Sequence, residues 1–176
     1  MTVYVALLRG INLGSRRRVA MADLRAWLDD LGYTDVRTHL QSGNAVFGTG
    51  RSAATVRREL ETRLAEGAGF AVDCVLRTAG ELAEVAARDP FGAVATDPSR
   101  YLVSFLHGPA TAPEFAADAY APELFAVGER EVYFWVPDGI RHSRLLTAFP
   151  QQKGDVATVR NWNTVTKLVS MSRPPA

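Results

Sequence analysis

Apolar and polar positions in this chain follow two alternating periods. Val3 to Leu8 is an unbroken apolar run closed by Arg9-Gly10, which predicts a strand buried on both faces. After the loop Gly10 to Val19, residues Met21, Leu24, Leu28 and Leu31 recur at helical spacing and Gly32 supplies a stop. Val36 to Leu40 and Ala45 to Phe47 predict two strands joined by Gln41-Ser42-Gly43-Asn44, where Gly and Asn tolerate the positive φ of a tight turn. Ser52 is expected to cap a helix that presents Val56, Leu60 and Leu64 on one face and ends near Gly67. Ala71 to Leu76 predicts a fourth strand. The order βαββαβ is that of a ferredoxin-like unit.

Thr78 and Glu81 have the spacing of a capping box and open a helix that Asp89-Pro90 ends. The order then repeats. Tyr101 to Leu106 predicts a strand and Pro113 the start of a short helix. Leu124 to Val127 and Val132 to Val136 predict a hairpin about Gly128-Glu129-Arg130. Ser143 to Phe149 predicts a short helix, Val156 to Val159 a short strand, and Val165, Leu168 and Val169 a final helix. The expected fold class is α+β, two fused ferredoxin-like (βαββαβ) halves with mainly antiparallel sheets. The expected division is residues 1–78 for the first half, 79–99 for a connector helix and linker, and 100–176 for the second half with its C-terminal helix. Strands apolar on both faces imply that the halves cover each other or that the chain forms a homodimer.

Composition adds location. A chain of 176 residues can bury about two thirds of its unfolded surface and needs no disulfide or structural metal to fold. Cys74 is the only cysteine, which excludes an internal disulfide and fits a reducing cytosol. No apolar run approaches the roughly 20 residues of a membrane span, and the first residues carry no basic leader. A cytoplasmic protein is expected. The excess of Arg over Lys, with abundant Ala, fits a GC-rich bacterial genome.

The net charge of +1 predicts no polyanionic partner. Its distribution is uneven: residues 1–60 carry nine Arg against five acids, and residues 141–176 carry six Lys and Arg against one Asp. The stretch 61–140 holds five Arg against thirteen acids. A basic surface arises if the fold joins the two ends.

The candidate chemistry is sparse. Gly48-Thr49-Gly50-Arg51-Ser52-Ala53 matches G-x-G-x-x-A, but the strand before it belongs to a hairpin rather than a parallel βαβ unit, so a dinucleotide cofactor is not expected. The loop from Arg9 is more suggestive. Asn12 and Ser15 offer hydrogen bonds, and Arg16, Arg17 and Arg18 precede a helix N-terminus, a place that favours anions. A solvated charge run is the plain alternative. Arg160-Asn161-Trp162-Asn163-Thr164 falls at a strand-to-helix junction, where Asn161 or Asn163 would cap the helix and Trp162 would pack beneath it. Arg160 either binds an anion or pairs with an acid; both readings stay open. No nucleophile elbow, P-loop or metal-ligand spacing occurs, and His39, His107 and His142 are dispersed. Catalytic residues are unassigned and no metal site is expected. Cys74 in an apolar strand reads as inert, and Ser42 as a turn serine.

Leu7-Leu8-Arg9-Gly10-Ile11-Asn12-Leu13-Gly14, Met21-Ala22-Asp23-Leu24-Arg25 and Thr38 through Gln41-Ser42-Gly43-Asn44 resemble the bacterial "domain of unknown function 1697" family. Asp89-Pro90-Phe91 and Arg160-Asn161-Trp162-Asn163-Thr164 resemble its later blocks in the same order. Leu13 and His39 depart from its usual valine and aromatic. The resemblance implies two ferredoxin-like α+β subdomains and no known activity, substrate, cofactor or catalytic residue.

The functional expectation is a binding site for a small anionic or phosphate-bearing ligand where the loop after the first strand meets Arg160. Its candidate residues are Arg9, Asn12, Arg16, Arg17, Arg18, Ser42, Asn44, Arg160, Asn161 and Asn163. The alternatives are an enzyme acting on such a ligand, aided by Ser42, Asn44 and Asn12, or a protein-interaction or dimerisation module. Nucleic acid is not an expected partner, because the charge is near zero and no aromatic stacking platform is visible.

Overall fold

The run around Val3–Leu8 forms strand β1, Thr2–Leu8, in a computed structural model that describes residues 1–152 and 155–174. The chain divides into two compact units, one of Met1–Glu84 with Leu168–Ala176 and the other of Val85–Lys167. The last two residues of the expected second half, 175 and 176, lie outside the described residues.

The first unit contains α1 (Met21–Asp30), β2 (Thr34–His39), β3 (Asn44–Thr49), α2 (Ala53–Ala68) and β4 (Cys74–Thr78) after β1. Its sheet has the order β2-β3-β1-β4 and is antiparallel throughout, with Tyr4 opposite both Phe47 and Thr78. This is the ferredoxin-like arrangement. Alternation along the strands puts Tyr4, Ala6, Leu8, Ala45, Phe47, Cys74 and Leu76 on one face, where they pack with Leu24 and Leu28 of α1 and Val56, Leu60 and Leu64 of α2. Each such leucine or valine contributes about 1.5–3 kcal/mol when removed from water. Tyr33 stacks on Phe47 at 4.6 Å and closes the layer.

Ser52 caps α2 by accepting from the Thr55 amide at 3.3 Å. The helix runs past the expected stop at Gly67 to Ala68 and ends on Gly69 at φ 79°. Gly67 has a different task. A Cβ there would lie 2.4 Å from Cε2 of Trp27, so its missing side chain makes room for the α1 indole.

Thr78 and Glu81 form the expected box: the Thr78 amide donates to Glu81 at 2.7 Å and the Glu81 amide to Thr78 at 3.2 Å. They start α3 (Ala79–Arg88). The later elements are β5 (Tyr101–Leu106), β6 (Leu124–Val127), β7 (Glu131–Trp135), α4 (Arg144–Ala148), β8 (Ala157–Asn161) and α5 (Trp162–Ser172). The second sheet repeats the topology of the first, β6-β7-β5-β8, again antiparallel. The molecule is α+β with two ferredoxin-like halves.

The helix expected from Pro113 does not form. The segment instead makes successive turns, with amide-to-carbonyl bonds from Ala119 to Ala116, Ala121 to Asp118 and Glu123 to Tyr120. Phe115 explains the preference. Its ring meets Tyr120, Phe125 and Phe149 edge-on at 5.2, 5.6 and 6.3 Å, and this cluster outweighs the helix propensity of the local alanines.

Candidate functional site

The loop between β1 and α1 is held by its own polar side chains. Asn12 takes φ 55°, a conformation that asparagine tolerates better than most residues. Its amide nitrogen donates to the Val19 carbonyl at 2.8 Å and the Gln41 carbonyl at 2.7 Å, while its oxygen accepts from the Val19 amide at 2.9 Å. Arg17 donates to the carbonyls of Gly10 at 2.9 Å and Ala71 at 2.7 Å, and its guanidinium lies over the Phe70 ring. Asn12 and Arg17 are therefore braces of the loop. Arg18 donates to the Gly14 carbonyl at 2.9 Å. Arg9 is half-exposed and meets Asp73 only at 3.7 Å. Arg16 is exposed and has no partner among the described residues.

The β2–β3 turn sits against this loop. The Leu8 amide donates to the Gly43 carbonyl at 2.8 Å, and Gly43 itself takes φ 86°. A Cβ on Gly43 would fall 2.7 Å from Cδ1 of Ile11 and 2.8 Å from Cβ of Leu8, so the contact requires glycine twice over. Asn44 is fully buried and donates to the His39 carbonyl at 2.7 Å and to Oγ of Ser42 at 3.1 Å. Ser42 is exposed. The structure thus brings Arg9, Asn12, Arg16, Arg17, Arg18, Ser42 and Asn44 to one end of the first sheet. The uncapped start of α1 follows directly, since Ala20 offers no side-chain acceptor to the first-turn amides.

Arg160, Asn161 and Asn163 belong to the second unit. Arg160 is 7% exposed; it donates to Oγ1 of Thr158 at 2.7 Å and the Val159 carbonyl at 3.0 Å, and burial lowers its pKa to about 10. Asn161 caps α5 by accepting from the Thr164 amide at 3.0 Å. Asn163 is exposed. Trp162 stacks on Tyr101 with ring centroids 4.3 Å apart. The Tyr101 hydroxyl donates to Asp89 at 3.0 Å and accepts from the Phe91 amide at 3.4 Å, so Asp89-Pro90-Phe91 and Trp162 meet on one tyrosine. Burial pushes the Tyr101 phenol up, and Asp89 adds to the effect.

Two further polar clusters have no local sequence signal. In the first unit the Tyr33 hydroxyl and Arg51 both donate to one oxygen of Glu59, at 3.0 and 2.7 Å. Burial, then Glu59, raises the Tyr33 phenol. In the second unit the Ser143 hydroxyl donates to buried Glu123, whose other oxygen accepts from the Arg144 amide at 3.0 Å. Their partners come from distant segments, which no spacing rule connects. Among the described residues no buried side-chain polar atom lacks a partner and no acid, His or Cys cluster could hold a metal. Burial pushes the Cys74 thiol up to about 12, so it is no nucleophile at neutral pH.

A protein family described as "Protein of unknown function (DUF1697)" matches residues 1–133. The chain belongs to this family. In this DUF1697 protein the matched stretch contains the β1–α1 loop and the turn that Asn12 ties to it, whereas Arg160–Thr164 falls beyond the matched residues. The solved structure of the conserved bacterial protein SP0830 from Streptococcus pneumoniae is similar, with 24% identity, a TM-score of 0.72, and cover of 98% of this chain and 99% of that one. At that identity the likeness is one of fold. No curated protein matches. Among the described residues, no helix is long and apolar enough to cross a membrane.

Proposed function

We propose that this DUF1697 protein binds a small anionic, phosphate-bearing ligand in the cytoplasm, at the β1–α1 loop. The observation that supports this reading is a braced loop with an unbraced cation. Asn12 and Arg17 hold the backbone through five hydrogen bonds, while exposed Arg16 has no partner among the described residues. A loop already fixed loses little entropy when it binds, so more of each contact appears as affinity. Arg9 and Arg18 stand on the same loop with donors to spare, and bidentate guanidinium contacts to phosphate are strong. The first-turn amides of α1 would add to the attraction.

Titration with inorganic pyrophosphate, followed by amide NMR at low salt, tests the reading. Saturable shifts at Ser15–Arg18 and Met21–Leu24 are expected, and Arg16→Ala should weaken binding about tenfold, the effect of one charge-assisted hydrogen bond. Shifts spread evenly over all surface arginines would refute a dedicated site. Sedimentation velocity on the same samples reads the homodimer that the two-sided strands suggest.

A further inference from the structure

We infer that a groove at the opposite end of the first sheet binds an amphipathic monoanion, an apolar body of several carbons carrying one carboxylate, held by Arg37 and Arg173. The two ends are distinct in the register: the hairpin turn precedes Asn44, whereas Gly48, at the other end of β3, pairs with Val3 and Thr34. There an open groove of about 550 Å³ lies between β2, the start of β1 and the last turn of α5, all within the first unit. That volume suits a small organic ligand.

The lining fits this chemistry. Met1, Val3 and Val36 give it apolar surface, and Arg37 and Arg173 both line it. Arg37 spends one donor on the Asp35 carbonyl at a long 3.4 Å, and Arg173 has no partner among the described residues. Their remaining guanidinium donors are available to an anion. Asp35 also lines the groove, so its charged side chains leave a surplus of one positive charge, which matches a single carboxylate. Asp35 has φ 53° and falls in a register shift of β2 between Thr34 and Arg37. Bulges of this kind re-aim side chains and recur beside binding sites.

The test is amide NMR of the whole chain titrated in parallel with octanoate, 1-octanol and inorganic phosphate. Octanoate should give saturable shifts at Val3, Val36, Gly48 and Ser170, at least about tenfold tighter than octanol. Arg37→Gln and Arg173→Gln should each weaken octanoate by about the same factor and leave octanol unchanged. Equal binding of octanol would overturn the charge-based part, because the groove would then be merely apolar. Phosphate acting at the groove as strongly as octanoate would overturn the amphipathic assignment. Octanoate shifts confined to residues 14–18 would refer its binding to the arginine loop and sink the groove site while sparing the loop proposal. The comparison among the three probes uses the unaltered protein, so its outcome stands even if a variant misfolds.

Discussion

Trp162 lies flat on Tyr101, their rings 6° from parallel and 4.3 Å apart at the centroids, and the Tyr101 hydroxyl reaches Asp89 beyond the end of α3. One aromatic side chain thus ties the first residue of α5 to the segment after α3, within the second unit. Tyr101→Phe keeps the stack and loses the hydroxyl bonds, with an expected cost of about 1–2 kcal/mol. Tyr101→Ala empties the position and should cost about 3–5 kcal/mol. Urea unfolding of both variants decides: equal losses would mean that the hydroxyl, not the stack, carries the stability.

The Asn12 side chain makes three hydrogen bonds from a left-handed backbone position. Asn12→Ala should lower stability by roughly 2–4 kcal/mol and speed hydrogen exchange at the Val19 amide. Asn12→Asp keeps the acceptor for Val19 and loses both donated bonds, so it should fall between wild type and the alanine variant. An alanine variant with unchanged exchange at Val19 would contradict the bracing role.

Gly43→Ala combines a strained φ with a Cβ driven into Ile11 and Leu8. The expected loss is roughly 2–4 kcal/mol, read as a fall in thermal midpoint. Ser42→Ala, one residue away, removes only the hydroxyl that accepts from buried Asn44 and should cost about 1 kcal/mol, less than Gly43→Ala. Similar losses for both would show that the turn tolerates no change at all and that the Gly43 contact is not special.

High pH should unfold the protein in stages. Burial raises the proton affinity of Cys74, Tyr33, Tyr101 and Tyr133 in the folded state. Their stabilising contribution is complete below the unfolded pKa, 9.0 for the thiol and 10.0 for the phenols, and is lost as pH rises toward the folded values. Each group should steepen the decline by about 1.4 kcal/mol per pH unit once its unfolded form ionises. Urea midpoints measured from about pH 8 to about pH 11 should fall first through Cys74 and then through the tyrosines. Cys74→Ala should remove the earlier stage only; if that stage persists in the variant, another group is responsible.

Apart from the helix expected at Pro113, the element order was legible from local pattern alone. Period-two and period-3.6 runs, the Ser52 cap, the Thr78–Glu81 box and the Asn161 cap all act within a few residues, so neighbours in sequence carry the whole signal. The loop arginines, Ser42 and Asn44 were visible as residues, but not their division of labour. Asn12 reaches Gln41, 29 positions away, and Arg17 reaches Ala71, 54 away. Only the folded chain could separate these braces from exposed Arg16. Tyr101 carries no signal in sequence beyond its place in a strand, because its partners Asp89 and Trp162 are neighbours in space alone. The turns at 113–123 have the same origin: alanine-rich local propensity favoured a helix, and the cluster of Phe115 with Phe125 and Phe149 overrode it. Secondary structure follows short-range sterics and hydrogen bonds and was set by local sequence, whereas packing partners depend on which distant faces the topology joins, and that the tertiary structure decided.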